Sequence, residues 1–310
     1  MKRFQYHTRR SINHDQKRHE RALDSKMEKT IKLNDKEYEL ISEQRGGMSG
    51  VYKHGDEYLR IGDTKKIKQD LELHRKMESS GFPIAKLIEE GDLNGQYYFI
   101  EASLGEKHLG KLFAEDVLQA GAISDTNFDS FLNVVGRFAK AQLTTKSDTQ
   151  DFGTFADGIH LDVLCDELPQ YKDKISIVFE GVKQRLSGFP FVITHGDFNP
   201  NNLYPSGVID LEDSFYGPFG FDLVCALVHI NYFPDSQEYE YFARYRFTKQ
   251  QEEKYLAFID AISAEAGLSP LSNFKNDFEF CRAVWSLVRM QEWPKLQQFR
   301  YDLFVQKFLT

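Results

Sequence analysis

The fold is decided by the stretch Phe191–Asp222, which reads FVITHGDFNPNNLYPSGVIDLEDSFYGPFGFD. Its first four residues favour β structure and predict a short strand, which runs into the tripeptide HGD, whose acid is Asp197. A polar loop and a Pro-Ser-Gly turn then precede Val208-Ile209, an apolar step that predicts a second short strand. We therefore expect two short neighbouring strands with a tight polar loop between them.

Three oxygen-bearing side chains lie at the ends of these predicted strands and in the loop between them. Asp197 follows the first strand, Asn202 lies in the loop, and Asp210 follows the second strand. Carboxylate and amide oxygens are the ligands that Mg²⁺ prefers, and one carboxylate can be spared to orient a hydroxyl group. Phosphoryl transfer needs that division of labour. The alternative is that the two acids are ordinary turn carboxylates and the Asn is a turn former.

The spacing of these residues resembles the catalytic segment of the aminoglycoside phosphotransferase / choline kinase superfamily. That pattern is H-G-D-x-x-x-x-N, then I-D-x-x-D, then a glycine turn and D-L. Here Asn202 lies five residues after Asp197, Asp213 lies three after Asp210, and Asp222 lies nine after Asp213. The resemblance implies an α+β, bilobal protein-kinase-like fold with an antiparallel β-sheet N-lobe, a mostly helical C-lobe, and MgATP bound between them.

The resemblance covers about residues 38 to 290 and divides the chain into three parts. Residues 30–104 are expected to form the nucleotide-binding N-lobe, and residues 105–310 the catalytic and substrate-binding C-lobe. Residues 1–29 form a polar, basic extension, and the first thirty residues hold nine Lys and Arg against four Asp and Glu. The extension is interpreted as a solvated, frayed segment, and the alternative is an arm that binds a membrane or nucleic acid.

The resemblance also implies which residues contact the nucleotide. The glycine-rich segment before the third strand would approach the phosphates with its backbone, and Arg60 would supply the cation on the following strand, where Lys is more usual. Lys53 is the alternative cation, and the acid that pairs with Arg60 is Asp70 or, less favoured, Glu72. Adenine would bond to backbone groups around Glu101 and Ser103. The phosphate-binding residues are expected to be Gly46, Gly47, Ser49 and Gly50.

Within the catalytic segment the resemblance assigns separate roles. Asp197 would orient the attacking hydroxyl and accept its proton, and Asn202 and Asp210 would hold Mg²⁺. His195 is interpreted as a structural residue that hydrogen-bonds to the backbone, and Asp222 as a helix cap and loop brace. Nearer the carboxyl terminus three further residues could line a substrate pocket, although aromatic residues at this spacing more often belong to a core: Arg282, Trp285 and Arg289.

Composition limits the other classes of function. No run of residues is long and apolar enough to predict a membrane span, and the net charge is −8. From residue 161 onward there are fourteen basic and twenty-one acidic residues, which argues against nucleic acid as a partner and mildly favours an amine-bearing acceptor. The three cysteines are far apart, which predicts buried free thiols in a reducing cytoplasm, and the histidines do not cluster at zinc-ligand spacing.

These observations together predict a small-molecule kinase that transfers the γ-phosphate of ATP to a hydroxyl group. The alternative from another class is a nucleotide-binding pseudokinase or regulatory module without turnover. Two observations suggest it: Arg in place of the usual Lys at position 60, and the open choice between Asp70 and Glu72 as the helix acid. No pattern in the sequence identifies the acceptor, distinguishes ATP from GTP, or indicates an oligomeric state.

Overall fold

The computed structural model describes residues 27–43, 49–234, 245–288 and 294–310. The chain divides into two compact units. The first contains the described residues up to Arg75 together with Ala85–Ser103, and the second contains Lys76–Ile84 together with the described residues from Leu104 onward. The first unit carries the antiparallel sheet and the second is mostly helical, so the predicted α+β, kinase-like architecture is confirmed.

The sheet of the first unit is antiparallel, with strand order β1-β2-β3-β4-β6-β5. The turn at Asn34-Asp35 joins the first two strands with φ angles of 50° and 61°, and Asn94-Gly95 joins the last two with 50° and 83°. Positive φ at both central residues is typical of a tight hairpin whose twist matches the strands. The strands are β1 (Thr30–Leu33), β2 (Lys36–Glu43), β3 (Ser49–His54), β4 (Glu57–Gly62), β5 (Leu87–Leu93) and β6 (Gln96–Ala102).

One face of this sheet carries an apolar core, and helix α1 (Thr64–Ser79) contributes a second cluster. In that cluster Ile67 and Leu71 of the helix pack against Phe99 of β6. Asp70 lies half-buried beside this apolar face, whereas Glu72 is exposed. The sheet core is formed by Tyr38, Tyr52, Leu59, Ile61, Tyr98 and Ile100.

Helices make up most of the second unit. The apolar periodicity of residues 125–142 forms helix α3 (Asp125–Gln142), which Ser124 caps by accepting a hydrogen bond from the Asn127 N–H. Its buried Phe131 stacks on Tyr255 at a ring-centroid distance of 5.2 Å, which ties it to the later helix α8. The other helices are α2 (Leu109–Ala120), α4 (Phe152–Gly158), α5 (Leu161–Glu167), α6 (Lys172–Leu186), α7 (Phe221–Val228), α8 (Lys249–Glu265), α9 (Lys275–Val288) and α10 (Pro294–Phe304).

The strand predicted at Phe191–Thr194 is confirmed as β7, but its predicted partner is wrong. Val208 makes only isolated bridges, antiparallel to Leu203 and parallel to Ile84. The strand that pairs with β7 is β8 (Phe215–Pro218). A two-residue apolar step carries too little pattern to set a register, and Phe215–Pro218 contains the Gly-Pro that the sequence analysis interpreted as a turn.

Two helices of the second unit are largely buried. Every residue of α7 is buried, and most of α9 is buried as well. The cysteines at 165, 225 and 281 are free and buried, which confirms that part of the sequence prediction. Within the described ranges, none of the helices combines the length and apolar character that crossing a bilayer would require.

Candidate active site

Asp197 lies in the loop that leaves β7, and a glycine immediately before it shapes that loop. Gly196 has a φ of +80°, and a Cβ atom placed on it would lie 2.3 Å from the backbone oxygen of Asp213. L-residues rarely adopt this backbone conformation, and no side chain fits at that distance. The glycine of the HGD tripeptide therefore lets the loop turn against the 211–213 segment and present the acid that follows.

Buried polar groups brace this loop from behind. The carboxylate of Asp222, at the start of α7, accepts hydrogen bonds from the His195 N–H at 2.7 Å, the Gly196 N–H at 3.2 Å and the Gln142 amide at 2.8 Å. The His195 ring bonds through Nε2 to the backbone oxygen of Ile209 at 2.7 Å. Burial raises the pKa of Asp222 to about 6, although His195 and the N–H donors act in the opposite direction. The predicted bracing roles of His195 and Asp222 are confirmed, whereas the predicted helix cap is wrong, because the N-cap residue of α7 is Gly220 and the Asp222 carboxylate bonds to the loop instead.

Asn202 is tied to Asp197 through the amide group of its side chain. Its Nδ2 donates to the backbone oxygen of Asp197 at 2.9 Å and approaches the carboxylate Oδ2 at 3.3 Å. Because the amide nitrogen faces Asp197, the amide oxygen is the atom of this side chain that could serve as a metal ligand.

Asp210 is brought next to Asn202 by backbone pairing. The Ile209 N–H donates to the Asn202 oxygen at 3.0 Å, and Leu203 forms an antiparallel bridge with Val208. Asp210 follows with a φ of 66°, a left-handed conformation that is uncommon outside glycine. The structure thus brings Asp197, Asn202 and Asp210 together along one loop, although the element that delivers Asp210 is a bridge and not the predicted strand.

A buried arginine from α9 completes the surroundings of Asp197. The Arg282 guanidinium donates through Nη2 to the Asp197 Oδ1 at 2.7 Å and through Nη1 to the Gly196 oxygen at 3.0 Å. The Arg282 side chain is only 3% exposed, whereas that of Asp197 is 28% exposed and accessible to a ligand. Burial acts to raise the pKa of Asp197, but the Arg282 charge beside it prevails and holds the pKa well below its usual range.

Exposure separates two groups of polar residues in this part of the second unit. Asp197, Asn202 and Asp210 are half-buried, whereas His195 and Asp222 are fully buried. The atoms of the half-buried set that could bind a metal ion are all oxygens, which fits a hard cation such as Mg²⁺. In the part of the chain that the structure describes, no group of three or more His, Cys, Asp or Glu side chains is arranged to hold a metal ion. A metal site here would therefore use the Asp210 carboxylate together with the Asn202 amide oxygen.

The predicted nucleotide residues of the first unit are placed on the sheet. Ser49 and Gly50 begin β3, and Arg60 lies on β4, while Gly46 and Gly47 fall outside the described residues. Arg60 donates through Nε to the Glu101 carboxylate on β6 at 3.0 Å, a partner other than the predicted Asp70 or Glu72. The pairing of Arg60 with Asp70 stays a prediction.

The backbone that was assigned to adenine is partly engaged within the first unit. The Ala102 N–H donates to the Lys86 oxygen at 2.9 Å, and the Ser103 N–H donates to the Asp56 oxygen at 2.7 Å. Contacts between adenine and the stretch from Glu101 to Ser103 therefore stay a prediction.

Two residues near Asp197 were assigned other roles in the sequence analysis. Arg282 was interpreted as core or pocket lining, and His229, whose Nδ1 lies 3.1 Å from the Arg282 Nη2, was set aside because it matched no metal pattern. A signal was present for Arg282, because a charged residue within an apolar run such as Phe280–Trp285 needs a buried partner. Trp285 packs against the Arg282 guanidinium at 4.2 Å and is buried, and Arg289 lies outside the described residues.

Comparison with known proteins defines the class to which this fold and site belong. The sequence matches the phosphotransferase enzyme family (APH) over residues 46–258, which is more than half of the chain. The chain therefore belongs to the phosphotransferase enzyme family, whose members act on small molecules. A comparison with curated protein sequences found no significant match to this chain.

Solved structures with a similar fold include two of a thermostable mutant of aminoglycoside phosphotransferase APH(4)-Ia. The complex with ADP and hygromycin B is 14% identical over 87% of this chain and 93% of that chain, with a TM-score of 0.53. The apo form is 14% identical over 89% and 94%, with a TM-score of 0.52. A choline/ethanolamine kinase family protein from Mesorhizobium loti is 12% identical over 94% and 92%, with a TM-score of 0.41. At such identities the APH(4)-Ia likeness shows a shared kinase-like fold and nothing more specific.

Proposed function

We propose that this protein transfers the γ-phosphate of MgATP to a hydroxyl group of a small molecule. The observation that carries the proposal is the half-buried set Asp197, Asn202 and Asp210, held on one loop by a fully buried brace. Family membership supports the reaction class, and the ADP and hygromycin B in the APH(4)-Ia complex support a nucleotide donor and a small-molecule acceptor.

Asp197 orients the acceptor hydroxyl in this proposal. Because its pKa is held well below the usual range, its carboxylate is ionised at any working pH and accepts a hydrogen bond from the incoming hydroxyl group. A carboxylate of such low basicity takes the proton late. That timing suits a loose transition state, in which the phosphoryl group has largely left its donor before the new bond forms.

Asn202 and Asp210 are the proposed Mg²⁺ ligands, through the amide oxygen and the carboxylate. Bound Mg²⁺ would neutralise charge on the phosphate oxygens and so lower the barrier to transfer. The positions of Asn202 and Asp210 fit this role, because the hydrogen bond from the Ile209 N–H to the Asn202 oxygen places the two residues on neighbouring stretches of backbone.

The first unit is proposed to hold the nucleotide. Backbone amides of the glycine-rich segment would approach the phosphates, and Arg60 would contact them while Glu101 fixes its side chain through the 3.0 Å ion pair. Asp70 is the proposed helix acid, because it is half-buried beside the apolar face of α1. The phosphate-binding segment comprises Gly46, Gly47, Ser49 and Gly50.

The acceptor is proposed to carry an amine as well as a hydroxyl group, because the chain beyond residue 160 is net acidic. Neither a nucleic acid nor a membrane is expected as a partner. A cytoplasmic location is proposed, since all three cysteines are free thiols and such thiols persist in a reducing compartment.

The test is a screen for ADP release with Mg²⁺ and ATP against a panel of amino alcohols, sugars and aminoglycosides. Asp197→Asn and Asp210→Asn are each expected to lower kcat by about 10²-fold or more. Both variants should stay largely folded at the assay temperature. Asp173→Asn, a change at an exposed position of α6, is the matched control and should retain wild-type activity. ATP binding without turnover across the panel would favour the pseudokinase alternative, and pyrophosphate release in place of ADP would indicate nucleotidyl transfer.

A further inference from the structure

Arg282 is a charged side chain within the apolar run Phe280–Trp285 of a largely buried helix. It lies on α9 between Cys281 and Ala283, and it is 2% exposed. An isolated charge at such a position would be strongly destabilising, so the helix keeps it only with partners. Among the described residues, the hydrogen-bond partners of its two terminal nitrogens belong to one small network around the loop after β7.

The network fixes both the backbone and the carboxylate of the catalytic loop. Nη1 of Arg282 holds the Gly196 oxygen at 3.0 Å, and Nη2 holds the Asp197 Oδ1 at 2.7 Å. The other carboxylate oxygen, Oδ2, lies 3.3 Å from the Asn202 amide nitrogen. With a donor at each oxygen, rotation of the Asp197 side chain about χ1 and χ2 is restricted to one orientation.

Two further residues restrict the arginine in turn. The Trp285 ring packs on the guanidinium with its centroid 4.2 Å from Cζ, which limits the plane that the guanidinium can occupy. His229 Nδ1 lies 3.1 Å from Nη2 and acts as the acceptor, a role that only a neutral imidazole can fill. Burial, and then the charge of Arg282, lower the pKa of His229 to about 3, so the ring stays neutral.

We propose that Arg282, oriented by His229, is a positioning residue that sets the direction in which Asp197 presents its carboxylate to the acceptor hydroxyl. The proposal rests on the proposed phosphotransferase function and adds to it a residue eighty-five positions further along the chain. Neither the arginine nor the histidine touches substrate in this proposal, and both act only through Asp197. Misplacement of a reacting group by about 1 Å can cost about 10²-fold in rate, which is the scale expected here.

The first test measures steady-state kinetics of Arg282→Met and Arg282→Lys. For Arg282→Met we expect kcat to fall by about 10²-fold while the KM for ATP changes by less than about threefold, because the residues proposed to bind nucleotide are untouched. Arg282→Lys should recover part of kcat, since an ammonium group can reach the Asp197 carboxylate but cannot hold the Gly196 oxygen at the same time.

Arg300 provides a matched control. It is also 2% exposed, and it donates to the backbone oxygens of Tyr232 and Ser286 at 2.8 and 3.2 Å without a hydrogen bond to Asp197. Arg300→Met is expected to destabilise the fold about as much as Arg282→Met and to leave kcat within about threefold of wild type at a temperature where both variants are folded. Equal losses of kcat in the two variants would overturn the proposal.

A double-mutant cycle distinguishes action through Asp197 from a separate structural effect. In the Asp197→Asn background, Arg282→Met should change kcat by less than about threefold, because the group that it positions is already lost. A full additional loss would show that Arg282 acts elsewhere. His229→Asn, whose amide oxygen can accept in place of Nδ1, should retain more activity than His229→Phe, which removes the acceptor, and the reverse order would contradict the proposal.

A crystal structure of Arg282→Met provides a readout that does not depend on activity. We expect the Asp197 carboxyl group to leave its wild-type orientation or to occupy more than one rotamer, with Asn202 and Asp222 in place. A single wild-type rotamer would overturn the positioning role whatever the kinetics show. If the wild-type protein turns over no acceptor, the proposed function fails, and the orientation of Asp197 in this variant still decides the role of Arg282.

Discussion

Substituting Gly196 with alanine should destabilise the protein for two separable reasons. The residue has a φ of +80°, and a Cβ there would lie 2.3 Å from the Asp213 backbone oxygen. The left-handed backbone conformation costs an L-residue about 1–2 kcal/mol. The clash adds about 1–3 kcal/mol, because the oxygen belongs to the backbone and must move with the segment that carries it.

Three other glycines of the second unit separate these two effects. Gly81 has the same φ of +80° with no atom within 4 Å, so Gly81→Ala isolates the backbone cost of about 1–2 kcal/mol. Gly207 lacks a positive φ but would place its Cβ 2.3 Å from the Pro83 oxygen, so Gly207→Ala isolates the clash at about 1–3 kcal/mol. Gly188 has neither feature, and Gly188→Ala should be neutral or stabilising by about 0.4–1 kcal/mol.

The assay is urea unfolding of the four variants beside wild type, with the slope m checked for constancy so that changes in midpoint report changes in stability. Gly196→Ala is expected to lose about 2–5 kcal/mol, close to the sum of the losses of the Gly81 and Gly207 variants. Kinetics on the folded fraction should also show a lower kcat for Gly196→Ala, because Asp197 follows directly. A Gly196→Ala loss no larger than that of Gly81→Ala would refute the reasoning, since the Asp213 segment would then yield without cost.

Two further predictions concern buried titratable groups. The unfolded chain takes up a proton on His229 as pH falls below about 6.5 and the folded protein does so only near 3, so stability should fall by about 2 kcal/mol between pH 7 and pH 5 through this residue. Denaturant unfolding at both pH values checks this, and His229→Phe should show a shallower pH dependence; an unchanged slope would contradict it. Burial raises the pKa of the Cys225 and Cys281 thiols, so a thiol-specific chromogenic reagent should react with neither in the native protein and with both after unfolding, and rapid native reaction would count against their placement.

Local sequence signals predicted those parts of the fold in which neighbouring residues set the conformation. The Asn34-Asp35 and Asn94-Gly95 turns have residues that tolerate positive φ, and both formed hairpins. The apolar periodicity of 125–142 and the Ser124 cap specify a helix without help from the rest of the chain. The prediction of a strand at Val208-Ile209 was wrong, because strand pairing depends on residues distant in the sequence. The partner of β7 is Phe215–Pro218.

The candidate site shows the same difference between features set by neighbouring residues and contacts made by distant elements. The spacing of Asp197, Asn202 and Asp210 was legible because all three lie on one short loop, and the backbone of that loop brings them together. The partners from distant elements were not legible. Arg282 and Glu101 each lie in an apolar segment, and nothing within either segment says which opposite charge will be packed against it.

The sequence by itself determined the reaction class and the identity of the groups proposed to perform it, because motif spacing records which side chains a loop presents. Only the tertiary structure decided how Asp197 is held. Gln142, Asp222 and Arg282 come from three different helices, and packing of those helices brings them behind one loop. There Gln142 donates to Asp222, Asp222 accepts from the loop backbone, and Arg282 donates to Asp197. The direction and basicity of that carboxylate are therefore properties of long-range packing, which acts between residues that no local pattern connects.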